Sequence, residues 1–470
     1  MEAETVASIR GKNKIILNGF IYVKQKNLAN NVISYECERR RGTGKELSEC
    51  KAKVKVNGED LSVVSYLHAH SHAADSARCE MVQARARIKR KAEETEETPQ
   101  QILGHELQQL SQQAAVQMVP LRHVRRTIRM TKQRKNAVHP IPSDRTFEIP
   151  EEYRSLQNGE NFLLHDSGMD DLNRILVFGT ERSLQMLRDS QHWFMDGTFK
   201  VVPELFFQLY TIHVQNLGAI IPSLYVLLPN KKQETYRRLF EEIKRLPSQA
   251  NPTSVTMDFE KAAMNAIQES FGEVEIHGCF YHLAQNVYRK IQAEGLQERY
   301  MNDENVSLSM RMLTALAFVP VDEVIKVFEA IEEEMSDEFH TIVDYFEDTY
   351  IGRLRRHRRA KPTFDLHIWN VYSRVTQDLP RTNNAVEGWN RKMQSAVSCQ
   401  HPNLWKFFNI LKKEQSLNNV AIEQLLGGHV PQPSRKKYKD YNGRIYTIVA
   451  DFSKRNIFYY LKGIAQNINF

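Results

Sequence analysis

Asp196, Asp258 and Glu387 are the residues whose type and setting could do chemistry together. Asp196 follows the apolar run Trp193-Phe194-Met195, Asp258 follows Val255-Thr256-Met257, and Glu387 sits near the start of a helix expected from about Asn384. Each has a structural explanation of its own. Asp196-Gly197 could be a hairpin turn, Asp258 could cap a helix beginning at Phe259, and Asn384-Ala385-Val386-Glu387 has the spacing of a capping box. Jointly they suggest something else. Three carboxylates brought to one point would repel and raise one another's pKa values, so such a cluster makes sense with divalent cations between its members. Mg²⁺ or Mn²⁺ suits hard oxygen ligands. Two such ions about 3.5–4 Å apart would activate an attacking oxygen and stabilise the leaving one at a phosphodiester.

A second set is built for a softer metal. Cys37, Cys50, His70 and His72 supply two thiolates and two imidazoles, the donors of a closed tetrahedral Zn²⁺ site. His68 competes, because His68-Ala69-His70-Ser71-His72 contains two overlapping His-x-His pairs. Arg39, Arg40, Arg41, Lys51 and Lys53 flank the set and could meet DNA phosphates. Cys279 and His282 stand three apart, on one helical face. With no further ligands evident in the sequence, a structural or substrate-positioning role is expected for them rather than a zinc site.

The elements needed to position these groups can be read from the pattern. Residues from about 10 to 75 alternate apolar and polar in short runs broken by Asn and Gly, which predicts a small antiparallel sheet with a core thin enough to need a metal. From about 80 to 145 the chain turns helical and basic, and Arg122, Arg125, Arg126 and Arg129 share one broad helix face, either a solvated linker surface or a contact for a DNA backbone. Beyond Pro150, strands are expected at 192–199, 206–214 and 219–228. After them come helix 233–246, strand 254–258, helix 259–270, strand 274–279 and helix 282–293. Three hairpin-like strands followed by strands alternating with helices imply a mixed sheet with chemistry at the carboxyl ends of its parallel strands. This is the order of an α/β ribonuclease-H-like fold. An all-helical insertion is expected over about 295–378, then helices from about 384 to 396 and 404 to 414.

Here the residues resemble a known family. Phe194-Met195-Asp196-Gly197-Thr198-Phe199, Val255-Thr256-Met257-Asp258-Phe259-Glu260-Lys261-Ala262, Cys279-Phe280-Tyr281-His282 and Arg381-Thr382-Asn383-Asn384-Ala385-Val386-Glu387-Gly388-Trp389-Asn390 look like the successive blocks of a Mutator-like element (MULE) transposase domain. The resemblance spans about residues 190 to 415 and implies Asp196, Asp258 and Glu387 as catalytic residues of a DDE enzyme. It also implies two-metal cleavage at transposon ends, with transfer of the freed 3′-hydroxyl to target DNA. The N-terminal quartet is similar to a FLYWCH-type zinc finger, with Cys50-Lys51-Ala52-Lys53 as its second-cysteine block. Ala73-Ala74-Asp75 favours His70 and His72 over His68 as ligands. Two features depart from the family patterns: Glu36 stands where the FLYWCH pattern has Trp, and too few Cys and His follow Cys399 for a C-terminal zinc module of the SWIM type.

The totals set bounds. A chain of 470 residues, 41% apolar and 26% charged, is expected to form two or three soluble domains. It has no apolar run of membrane-spanning length, and its five cysteines are too few and too scattered for a disulfide framework. Residues 1–145 hold 26 Lys and Arg against 16 Asp and Glu, net +10, and the remainder 38 against 41. A basic end on a near-neutral body is the footprint of a nucleic-acid module. The expected division is a zinc finger over 8–75, a basic helical region over 80–145, a catalytic domain over 150–415 and an extension over 416–470. Double-stranded DNA, both terminal repeats and target, is the expected partner, and a homo-oligomer is implied by the pairing of two DNA ends. The nucleus is the expected compartment, with Arg85-Ala86-Arg87-Ile88-Lys89-Arg90-Lys91 as an import signal or a basic helix face. A domesticated relative that binds DNA without cutting it is the competing reading, and a nuclease that cuts without joining is a third.

Overall fold

A computed structural model describes residues 4–7, 13–40, 49–95, 97–136, 139–247, 249–430 and 436–468, and the chain falls into two units, Met1–Pro140 and Ile141–Phe470. Among the described residues no helix is long and apolar enough to cross a membrane.

The first unit opens with a six-stranded antiparallel sheet in sequential order: β1 (Glu4–Ala7), β2 (Asn13–Leu17), β3 (Phe20–Asn27), β4 (Val32–Cys37), β5 (Lys53–Asn57) and β6 (Val63–Leu67). Asn18-Gly19 joins β2 to β3 with φ of 50° and 76°, the left-handed pair that a tight two-residue hairpin demands. Alternation puts Val54 and Val56 of β5 inside with Ile15, Leu17, Tyr22 and Tyr35. That core is small, as its length predicts. Four helices follow: α1 (Ser76–Glu94), α2 (Pro99–Leu107), α3 (Gln112–Val116) and α4 (Leu121–Asn136). Asp75 caps α1, and Thr98 with Gln101 forms a capping box at α2. Ile88, Ile102, Leu103, Val124 and Ile128 bind α1, α2 and α4 together.

The second unit is a seven-stranded mixed sheet in the order β13-β12-β9-β10-β11-β8-β7. Its strands are β7 (Leu163–Asp166), β8 (Leu176–Phe178), β9 (His192–Thr198), β10 (Gln208–Asn216), β11 (Ala219–Leu228), β12 (Ser254–Met257) and β13 (Glu275–Gly278). β9, β10 and β11 are antiparallel neighbours, and β12 runs parallel to both β9 and β13. Both faces are covered, so the central strands are almost continuously apolar and alternate between two cores. Tyr225 and Leu227 join Trp389, Met393 and Phe408 on one face, while Leu224, Val226 and Leu228 join Tyr236, Leu239 and Phe240 on the other.

Short helices α5 (Glu151–Arg154) and α6 (Glu181–Asp189) precede β9, and α7 (Gln233–Arg245), α8 (Lys261–Phe271) and α9 (Phe280–Ala293) alternate with the later strands. The segment between α9 and residue 378 holds α10 (Gln297–Asn302), α11 (Glu304–Ala315), α12 (Val324–Glu334), α13 (His340–Phe346), α14 (Leu366–Trp369) and α15 (Tyr372–Thr376). It is not all helical. Leu354–Arg355 pairs with Arg358–Arg359 in a short ladder, where Arg359 reaches Glu329 and Glu347 at 2.7 Å each. The chain ends with α16 (Asn384–Val397), α17 (Leu404–Leu426), α18 (Lys436–Ala450) and α19 (Ile457–Gln466). Ile445, Val449, Leu461 and Ile464 of the last two helices lie in the same core as α7, α8 and α9.

Candidate functional site

Strand alternation decides where Asp196 points. Trp193 and Met195 enter the core beneath α7 and α8, so Asp196 faces the opposite side of the sheet, which α16 covers. It lies inside β9 opposite Thr211, not in a turn. One carboxylate oxygen accepts the Gly197 N–H at 2.8 Å and the other accepts Asn390 Nδ2 at 2.7 Å. Asp258 follows β12, but α8 starts only at Lys261 with Glu260 as its capping position, so Asp258 is not the cap. Glu387 is the fourth residue of α16, whose capping position is Asn383, one place off a capping box. The three structural explanations of these carboxylates therefore fall away.

His282, in the first turn of α9, lies between two of the acids. Its Nδ1 forms a close ion pair with Asp258, and its Nε2 is 4.0 Å from Glu387 Oε1. Cys279, His282 and Glu387 each offer a ligand atom within 4.8 Å of the other two. Glu387 is thus the neighbouring donor that the spacing of Cys279 and His282 did not reveal. Burial, then the charge of Asp258, pushes the Asp196 carboxyl up to about 7. Burial also raises Glu387, with His282 and Arg391 opposing it. For His282 burial works downward, but Asp258 and Cys279 outweigh it and lift the imidazole to about 11.

Three segments are tied together beneath these groups. The buried Cys279 Sγ accepts the Asn383 N–H at 3.2 Å, Asn383 Nδ2 donates to the Met195 carbonyl at 3.0 Å, and the Phe280 N–H donates to the Arg381 carbonyl at 3.1 Å. The loop before α16 is thereby bound to both β9 and the start of α9. Two glycines permit close approach. A Cβ on Gly197 would lie 2.3 Å from Gln208 Oε1, and one on Gly278 would lie 2.3 Å from the Phe259 ring. Phe259 in turn packs on Tyr350 and Phe364, which couples Asp258 to the helical insertion.

In the first unit Cys37, Cys50, His70 and His72 place their ligand atoms within 4.8 Å of one another. Cys37 Sγ is 3.2 Å from His72 Nε2, and Cys50 Sγ is 3.4 Å from His70 Nδ1. The outer ring nitrogens are held as well: His70 Nε2 by the Tyr22 hydroxyl at 2.8 Å, and His72 Nδ1 by the Ala73 carbonyl at 2.9 Å. Such outer partners fix ring orientation at metal sites. Phe20 stacks on His70 with centroids 3.6 Å apart. His68 is exposed, with φ of 63°, and is outside the cluster.

Residues 192–286 match the family model of the MULE transposase domain, and residues 5–72 match that of the FLYWCH zinc finger domain. The chain carries a MULE transposase domain and a FLYWCH zinc finger. No curated protein gives a significant match. The FLYWCH match contains all four Cys and His ligand candidates, while the MULE match contains Asp196, Asp258, Cys279 and His282 and ends before Glu387. Glu387 joins the MULE residues through the folding of α16 onto β9.

The basic residues around the FLYWCH cluster differ in what they already touch. Arg39 is 3.5 Å from Asp75, and Arg40 forms a close ion pair with Glu36, whereas Lys51 is exposed. Arg41 lies outside the described residues. On α4, Arg122, Arg126 and Arg129 are exposed on one face while Val124 and Ile128 are buried on the other, and Arg125 is partly buried and donates to Gln100 at 2.9 Å. Sequence reasoning missed Asn383 and Asn390. Their only signal was their presence in the block around Glu387, and the seven-residue spacing puts both on the helix face that meets β9.

Proposed function

We propose that the protein is a DDE-type DNA transposase of ribonuclease-H-like fold, with Asp196, Asp258 and Glu387 as its catalytic residues. The observation that carries this reading is the meeting of the three acids, from β9, the end of β12 and α16, at one end of a sheet whose core strand order is β13-β12-β9-β10-β11. The residues suit divalent metal: Glu387 Oε1 is buried without a hydrogen-bond partner, and Asp196 carries a raised pKa that a cation would relieve. When bound, Mg²⁺ or Mn²⁺ supplies Lewis-acid stabilisation of the phosphoryl oxygens and lowers the pKa of an attacking water. Asn390 and the Gly197 N–H each hold one oxygen of Asp196 and so fix the orientation of its carboxylate. Asn383 and Cys279 fix the entry of α16, and with it Glu387.

The FLYWCH cluster, holding structural Zn²⁺ through Cys37, Cys50, His70 and His72, recognises duplex DNA in this scheme. Lys51, Lys53 and the α4 arginines contact its phosphates. The transposon ends and the target are the substrates, two ends call for a homo-oligomer, and the nucleus is the working compartment. One observation favours a second reading, a domesticated DNA-binding protein. The close His282–Asp258 pair already supplies a positive charge where a metal would stand. Metal-dependent nicking of supercoiled plasmid, in the parent and in Glu387→Gln, separates the two. Nicking lost in the variant supports the enzyme, and nicking absent from both supports the binding protein.

A further inference from the structure

Two aromatic rings at the carboxylate end of the sheet stay outside its core. Phe199 is 38% exposed and Phe207 50%, in a unit that buries Phe162, Phe178, Phe194 and Phe240 completely. Their centroids are 5.5 Å apart, edge to face. Phe199 follows β9, Phe207 precedes β10, Lys231 follows β11 and Glu260 follows β12, so all four lie at the sheet end that carries Asp196 and Asp258.

Lys231 is held against this pair. Its Nζ stands 4.4 Å over the Phe199 ring and 3.0 Å from Glu260 Oε2. Glu260 is fixed from behind, because the buried Tyr236 donates its hydroxyl proton to Glu260 Oε1 at 2.9 Å and itself accepts Gln208 Nε2 at 2.6 Å. An ammonium group anchored over an open pair of rings offers one ligand two things at once: a flat apolar face and a positive charge beside it.

We propose that Phe199, Phe207 and Lys231 form a stacking site for an unpaired nucleobase, with Lys231 meeting an adjacent phosphate, on the DNA strand that enters the carboxylate centre. The inference rests on the cleavage reading given above. A base inside a duplex has both faces covered by its neighbours, so only an unpaired one can stack on these rings. Such stacking tolerates any base, because every base has a π-face. The site would hold a separated strand near the reacting phosphate while the FLYWCH domain holds the duplex.

The test uses the full chain with a short single-stranded oligonucleotide carrying 2-aminopurine, whose fluorescence is quenched on stacking. Saturable quenching is expected from Glu387→Gln and from the parent in chelator, where no cutting occurs. Phe207→Ala should weaken the quenching interaction by about 5- to 150-fold, the range for loss of one base–aromatic stack. Phe207→Trp should restore it, and Lys231→Ala should flatten its salt dependence, because the phosphate takes the place of Glu260 on Lys231 when the strand binds. Equal quenching and affinity in Phe207→Ala, Phe199→Ala and parent, or no quenching by the parent, would overturn the stacking site. Failure of the cleavage reading is a separate result: Glu387→Gln would then nick plasmid as the parent does, whatever the fluorescence shows.

Discussion

The Cys–His cluster of the first unit and the carboxylate cluster of the second are put together on opposite plans. At the first, Cys37 and Cys50 are 2% and 1% exposed, each histidine turns one nitrogen to a sulfur, and the other nitrogen is held by Tyr22 or Ala73. At the second, the Asp258 side chain is 41% exposed though paired with His282, and Glu387 Oε1 has no hydrogen-bond partner. The first is closed on itself, as structural zinc sites are, and the second stays open to solvent at Asp258, as the proposed catalytic role requires. On the proposed function a metal holds up the fold in one unit and drives chemistry in the other.

The largest effect should come from Glu387→Gln. Gln keeps the length of the side chain and removes the charge, and helix α16 loses no cap because Asn383 occupies that position. Metal-dependent DNA cleavage should fall by about a thousandfold or more, with circular dichroism and DNA affinity unchanged. Asp196→Asn and Asp258→Asn should match it, and double variants should be scarcely worse, since groups acting as a unit are not additive. A Glu387→Gln protein that cleaves as well as the parent would erase the contrast between the clusters.

Zinc removal should have the reverse character. One Zn²⁺ per chain is expected by metal analysis of the full chain. Strong chelator, or Cys50→Ser, should abolish hydrogen-exchange protection in β2 to β5 while the strands of the second unit keep theirs. Protection that survives in β2 to β5 without zinc would mean that the small core around Val54 and Val56 folds without a metal.

How much of this was legible in the sequence depended on the range of the interaction. The strands and helices from 192 to 293 were readable because period-two and helical patterns are local and both faces of the sheet are apolar. The two matched domains were readable from motif blocks with fixed internal spacing. β7 and β8, at four and three residues, were too short to show a period, and the ladder near Arg355 was hidden in a basic run. The roles of Asn383 and Asn390 could not be read at all. Their partners, Met195 and Asp196, are 188 and 194 residues away in the chain. The structure also separated His70 and His72 from His68, which spacing left open.

Asn390 sharpens the comparison at the next level of effect. Histidines at the zinc cluster have outer partners, and Asn390 is the corresponding partner at the carboxylates. Asn390→Ala should raise the Mg²⁺ concentration needed for half-maximal cleavage by about 10- to 100-fold, in line with the loss of outer-shell partners elsewhere. Activity should recover substantially at saturating metal. A fall in maximal rate with an unchanged metal requirement would place Asn390 in general packing instead.

The smallest effect concerns which basic residues reach DNA, and it compares arginines within the first unit. Arg39 and Arg40 flank the FLYWCH cluster but are engaged by Asp75 and Glu36. Arg126 and Arg129 project from α4 on the side opposite Val124 and Ile128. A phosphate contact releases counterions, so each one lost lowers the slope of log affinity against log salt by about one. Arg126→Ala and Arg129→Ala should each do so, weakening duplex binding severalfold at low salt and hardly at high salt. Arg40→Ala should change the slope little, because its partner Glu36 neutralises much of its charge before DNA arrives. If Arg40→Ala lowers the slope as much as Arg126→Ala, the Glu36 pair opens on binding and the DNA surface lies across the zinc cluster. If neither α4 variant moves the slope, α4 is a solvated helix, and the basic excess of residues 1–145 acts through the strands.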